Sequence, residues 1–205
     1  MDKTLAKVGF SMITEETDSV TEYEESISYF PSDEAGGREV KATPQGETYE
    51  IEADGGIIHA GEVNNGYNID LTLIDIIDAI REKWLNRTKT SDGHLEIGGV
   101  VKYPKFALIV ARETMFANKK YAVDVYYCCQ VLERPEKSAK TSAKTYDPEF
   151  PTYKIGSRPR RDNKWIHREI FVDELPTAVP VVAPTAQSGG SGSNSGSGSN
   201  SGSGS

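Results

Sequence analysis

The chain has 205 residues, with 31 acidic side chains against 23 Lys and Arg and a net charge of −8, a balance that argues against a protein gripping nucleic acid by its phosphates. No run reaches the 18 or more apolar residues of a membrane span, residues 1–10 lack the apolar centre of a signal peptide, and the two cysteines, Cys128 and Cys129, are neighbours that read as reduced thiols. Residues 188–205 are Ser, Gly and Asn alone and read as an engineered linker; 176–187 form a Pro-rich C-terminal arm, and 1–175 remain for one β domain with an acidic loop at 14–25.

Leu5–Ile13 has the character of a first strand. Thr14–Glu25 carries six carboxylates and little that is apolar, so it is expected to be a mobile loop or arm with nothing to bury. Short strands follow at Ile27–Phe30 and Arg38–Thr43. Glu47–Ala53, Ile57–Val63 and Tyr67–Leu73 then alternate apolar and polar residues, with Asp54-Gly55-Gly56 and Asn64-Asn65-Gly66 between them; this spacing predicts a three-stranded meander with two tight corners. Glu50, Glu52, Glu62 and Asp70 occupy its polar positions.

At Leu73 the period changes. Ile76, Ile77, Ile80 and Trp84 recur at the spacing of one helix face, with Asp75 placed to cap, so an amphipathic α-helix of about three turns is expected over 75–86, packing those four residues onto the core. Beyond a polar loop, Pro104–Glu113 and Tyr121–Leu132 are the most apolar strands and predict a central hairpin. In the second, Tyr121, Val123, Val125, Tyr127, Cys129 and Val131 share one face by strict alternation. A basic loop, 133–146, precedes two closing strands joined by Ser157–Asn163. The fold class is therefore mainly β, an antiparallel sandwich or barrel with one flanking helix.

No phosphate loop, nucleophile elbow, HExxH, CxxC or dinucleotide fingerprint occurs, which points to no catalytic residue, metal or cofactor. His59, His94 and His167 lie far apart in sequence, and Asp92-Gly93-His94 reads most simply as a turn. Arg158, Arg160 and Arg161 read as a solvated turn or a protein contact rather than a phosphate clamp, and Trp84 and Trp165 as core or interface anchors. Charge is uneven along the chain: residues 1–75 hold 17 acidic and 4 basic side chains, and 76–187 hold 14 and 19. Such a division suits a molecule with an acidic and a basic pole.

Several short stretches, in this order, resemble the major tail or tail tube proteins of bacteriophages with long, non-contractile tails that infect Gram-positive hosts. They are Ala6-Lys7-Val8-Gly9, Glu52–Gly56, Asn65–Leu71 with a helix following, Pro104–Leu108, Asn118–Tyr121, the Lys/Thr-rich 140–145, and Arg160–Trp165. The resemblance covers most of residues 5–172. It implies a virion component made in the host cytoplasm, self-assembling into stacked hexameric rings whose inner hairpins line a tube conducting double-stranded DNA during ejection. It further implies contacts with tape-measure, terminator and distal-tail proteins and none with membrane. On it, Glu50, Glu52, Glu62 and Asp70 become lumen-facing candidates. Glu22 and Glu24 of the acidic arm, with Lys137, Lys140 and Lys144 of the basic loop, become ring-contact candidates. The alternative is a monomeric β-sandwich module that recognises carbohydrate or a receptor through exposed aromatics.

Overall fold

The computed structural model describes residues 4–32, 36–53, 56–99, 102–114, 118–135 and 150–181, and only the backbone of 49–53 and 56–60. Eleven strands follow in chain order: β1 Leu5–Glu16, β2 Thr21–Tyr23, β3 Ser28–Tyr29, β4 Gly37–Ala53, β5 Gly56–Leu73, β6 Thr88–Thr90, β7 Gly93–Leu95, β8 Phe106–Glu113, β9 Tyr121–Glu133, β10 Thr152–Ser157 and β11 His167–Val172. Nine of them form one antiparallel sheet ordered β2-β1-β8-β9-β10-β5-β4, with β3 added to β1 and β11 to β9; β6 and β7 form a separate small hairpin. The fold is mainly β, as expected, and barrel-like. The sheet curls until Gly37, at the start of edge strand β4, meets β1: a Cβ there would lie 2.5 Å from Val8 Cγ2, so any larger residue must displace Val8.

Both faces of the central pair are buried. Phe106, Leu108 and Val110 of β8 join one apolar cluster, and Ala107, Ile109 and Ala111 the other, which is why this segment reads as a continuous apolar run. The strict alternation expected of β9 breaks. Phe106 pairs with Cys129 but Leu108 with Tyr126, so β9 carries an extra residue between those rungs. One inserted residue reverses the faces beyond it: Val123, Val125 and Tyr127 belong to the second cluster, Cys129 and Val131 to the first.

The flanking helix is much shorter than expected. Leu73 ends β5 fully buried, and Ile74 donates from its N–H to Gly36 O at 3.0 Å. Asp75 Oδ1 takes the N–H of Ile76 at 2.6 Å, a local bend contact in place of a helix cap. What forms is a π-helical turn, Ile80–Trp84, closed by Leu85 N–H to Ile80 O at 3.1 Å. Three β-branched isoleucines at 76, 77 and 80 make a poor helix core, so packing decides the length. The widened turn sends Ile80 and Trp84 into the curl of the sheet, both fully buried, while Ile76 and Ile77 lie half-buried against the same cluster. Trp84 stacks on Phe106 at 4.3 Å and meets Phe10 and Tyr153 edge-on at 5.3 and 5.9 Å. It is the plug of the first cluster.

The acidic stretch 14–25 is no free arm. β1 runs on to Glu16, and β2 folds back on it to make a hairpin tied to the body. Glu16 meets Lys105 at 2.5 Å, Asp18 meets Arg161 at 2.7 Å and Glu24 meets Lys83 at 2.7 Å. Each partner comes from the basic part of the sequence, so the two charge halves meet here in ion pairs. The arm after β11 also begins as a docked segment: Tyr29 Oη–H donates to Pro176 O at 2.8 Å, Ile27 N–H to Thr177 O at 2.8 Å and Tyr127 Oη–H to Pro180 O at 3.0 Å, with Leu175 and Val179 packed on the second cluster.

Candidate functional site

The expected three-stranded meander is one long hairpin. β4 and β5 pair from Gly37↔Leu73 to Ala53↔Gly56, and the chain reverses between those last two residues. At the second expected corner the strand does not turn. Gln45 pairs with Gly66 and Gly46 with Asn64, leaving Asn65 as an extra residue in a bulge. Gly66 sits there at φ +143°, and a Cβ on it would lie 2.0 Å from Ser157 O. Asn-Gly at this point serves a bulge pressed against β10 rather than a turn.

Beyond the bulge the hairpin leaves the sheet. β10 pairs with β5 only over Tyr67–Thr72. The outer half, 46–53 with 56–64, pairs only with itself among the described residues. Eight residues at about 3.3 Å each make a projection of roughly 25 Å. Both its outer backbone edges present N–H and C=O groups with no strand beside them among the described residues, and its base carries exposed Glu47, Thr48, Glu62 and Val63.

The four lumen candidates do not form one set. Glu50 pairs with Ala60 and Glu52 with Ile57, but their side chains lie outside the described residues. Glu62 is exposed and opposite Thr48. Asp70 is exposed between Lys41 on β4 and Lys154 on β10, and Lys154 pairs in turn with Glu133 at 2.6 Å. Positions 62 and 70 would share a face in an unbroken strand; the extra residue Asn65 puts them on opposite faces. Asp70 therefore belongs to a row of alternating charge.

Of the ring-contact candidates, Glu24 is engaged with Lys83 inside the chain. Glu22 is exposed directly opposite Glu15, a like-charge pair that a neighbour's cation would relieve. Lys137, Lys140 and Lys144 lie outside the described residues. The basic turn proves structural in two of its three arginines. Arg160 is 2% exposed, paired with Asp162 through two hydrogen bonds, and surrounded by Tyr23, Tyr127 and Trp165 at 5.6–5.8 Å. Burial pushes the Asp162 carboxyl up, but the hydrogen bonds and charge of Arg160 outweigh this and hold it below the usual carboxylate range. Arg161 is held by Asp18, and Arg158 is exposed. Cys128 and Cys129 are free buried thiols; burial pushes Cys128 up to about 11. His167 contacts Asp124 at 3.0 Å, the side chain of His59 lies outside the described residues, and His94 sits on β7 facing Asp78 and Glu82.

No family model matches the chain, and no curated protein matches it. Two solved structures are similar to it. One is the tube-terminating cap of the anti-feeding prophage, at 9% identity and a TM-score of 0.42, covering 84% of this chain and 94% of that one. The other is from the sheath–tube complex of an extracellular contractile injection system in its extended state, at 9% identity and a TM-score of 0.41, covering 82% and 93%.

Proposed function

We propose that the chain is a structural subunit of a phage-tail-like tube and assembles through the β4–β5 hairpin. The observation that carries this is the outer half of that hairpin. A single molecule cannot pair its two free edges, and an exposed edge of such length invites pairing with another chain. Copies set side by side around an axis satisfy both edges at once, because each presents a different edge to each neighbour and the rotation closes into a ring. The motif order shared with tail tube proteins supports the same reading. The finer claims, hexameric rings and a lumen conducting DNA, rest on that resemblance; exposed Glu62 supplies phosphate-repelling charge in such a wall, whereas Asp70 between two lysines supplies little. The rival, a carbohydrate-binding module, needs an aromatic platform; among the described aromatics only Phe171 is exposed, Tyr23 is half-buried, and Tyr146 lies outside the described residues.

The test is size-exclusion chromatography with negative-stain microscopy of the full chain and of a variant in which residues 47–62 are replaced by Asn-Gly. The expected result is rings or tubes with a central hole for the full chain, and a folded monomer with an unchanged circular dichroism melt for the variant. A full chain that stays monomeric at every concentration and salt, or a shortened variant that still assembles, overturns the reading.

A further inference from the structure

The sequence offers no run of metal ligands, but the fold brings three together. Asp78 and Glu82 stand one helical turn apart on the segment that leads into and through the π-helical turn, and His94 comes from β7 of the small hairpin. Their donor atoms all lie within 4.8 Å of one another. His94 Nε2 is 3.7 Å from Asp78 Oδ1 and 3.5 Å from Glu82 Oε1. Those separations are too long for hydrogen bonds, and this nitrogen, on a side chain only 11% exposed, has no hydrogen-bond partner. A buried ring nitrogen aimed between two carboxylates without bonding either marks a gap of about one cation. A tetrahedral zinc ion at roughly 2.0–2.2 Å from each donor sets its donors about 3.3–3.6 Å apart.

We propose that Asp78, Glu82 and His94 bind a divalent ion of zinc type, clamping the π-helical turn to the β6–β7 hairpin. One imidazole with two carboxylates is a donor set for zinc rather than for calcium or magnesium, which take oxygen alone. The fourth position faces solvent, since Asp78 and Glu82 are partly exposed, and a water fills it. The frame is built in advance. Thr90 Oγ1–H lies 3.0 Å from both Asp92 Oδ1 and Gly93 O at the tip of the small hairpin, and Arg87 bonds Glu96 at 2.8 Å at its base.

Without metal the carboxylates already meet two cations: Arg81 Nη1 lies 3.1 Å from Asp78 Oδ1, the oxygen that faces His94, and Lys89 reaches both side chains. Lys89 pairs with His94 across the hairpin and places Nζ 3.3 Å from Asp78 Oδ2 and 3.6 Å from Glu82 Oε1. Its side chain is 60% exposed, so it can swing out to solvent as the ion enters. Lys89 is thus an internal competitor, and binding zinc exchanges an ammonium for the metal at two carboxylates with His94 neutral.

Calorimetric titration of the full chain with zinc chloride at pH 7.5 tests this, with cobalt(II) absorption as a second readout. One equivalent is expected to bind. His94→Ala should weaken binding at least tenfold, and Lys89→Ala should tighten it several-fold, a gain that mere loss of structure cannot produce. The double variant His59→Ala/His167→Ala should bind as the parent does. Failure of the parent to bind one equivalent, affinity unchanged by His94→Ala, or weaker binding by a folded Lys89→Ala each overturns the proposal.

Discussion

Arg160 shows how far a residue's environment can depart from what its neighbours in sequence suggest. In Ser157-Arg158-Pro159-Arg160-Arg161-Asp162 it looks like one of three surface arginines, yet it is the buried centre of an aromatic box with Asp162 as its partner. Nothing local announces this, because Tyr23, Tyr127 and Thr21 come from distant strands. Arg160→Ala takes the cation from Asp162 and leaves the Thr21 hydroxyl, at 3.1 Å, as its remaining side-chain donor, which costs about 2–3 kcal/mol; urea unfolding at pH 7 should show a loss of that size. The Asp162 pKa is lowered in the folded protein, so the pair's contribution is complete above the usual carboxylate pKa and fades as pH falls through the lowered one. The gap between parent and variant should therefore narrow in acid and stay constant from pH 6 to 8. Gly66 gives a second case. Gly66→Ala combines a strained φ with a Cβ 2.0 Å from Ser157 O, and should lose more than about 1 kcal/mol in the same assay.

At the scale of elements, the sequence rendered strand content well and strand breaks poorly. Asp54-Gly55 and Asn65-Gly66 carry the same turn chemistry, but whether such a pair turns the chain or bulges it depends on what packs alongside. At Gly66 that is β10, some ninety residues on. The shift of face in β9 escaped for the same reason: a bulge has no composition of its own. The helix signal was sound in which residues point inward and wrong in length, since the period of Ile76, Ile77, Ile80 and Trp84 says nothing about how many turns the cavity admits. The arm after β11 follows this pattern too. Its prolines excluded a helix, but its contact with Tyr29 and Tyr127 lies in tertiary structure. Ending the chain after Val181 should leave the thermal midpoint unchanged, because every arm contact described falls at or before Pro180. Ending it after Asp173 removes three hydrogen bonds, each worth about 1 kcal/mol, and uncovers the second cluster. A fall in stability of at least about 3 kcal/mol is expected, and equal midpoints for the two truncations would show that the docked segment contributes nothing.

Across the whole molecule, the charge halves of the sequence and the burial of its aromatics have different fates. The acidic first part and basic second part meet in ion pairs at Lys105, Arg161 and Lys83, so part of the charge division along the sequence is neutralised within the fold. Aromatic burial was legible, since alternation placed most tyrosines on apolar faces, and its consequence can be measured. Burial pushes Tyr29 and Tyr153 up to about 12 and moves Tyr23, Tyr126 and Tyr127 upward as well; for Tyr153 it prevails over the opposing charges of Arg81, Arg87 and Arg134. Each of these phenols disfavours the charged form when folded, so each favours the folded state below the unfolded pKa of about 10, and that contribution is lost as pH climbs toward the raised value. The five lie on both sides of the central strands, in or against both apolar clusters, so no local opening frees them together. In an absorbance titration at 295 nm the five named here, half of the ten in the chain, should therefore ionise later than a free tyrosine, in one step that coincides with loss of the far-ultraviolet β signal. A single smooth titration centred on pH 10 with the β signal intact would contradict the buried positions of these side chains.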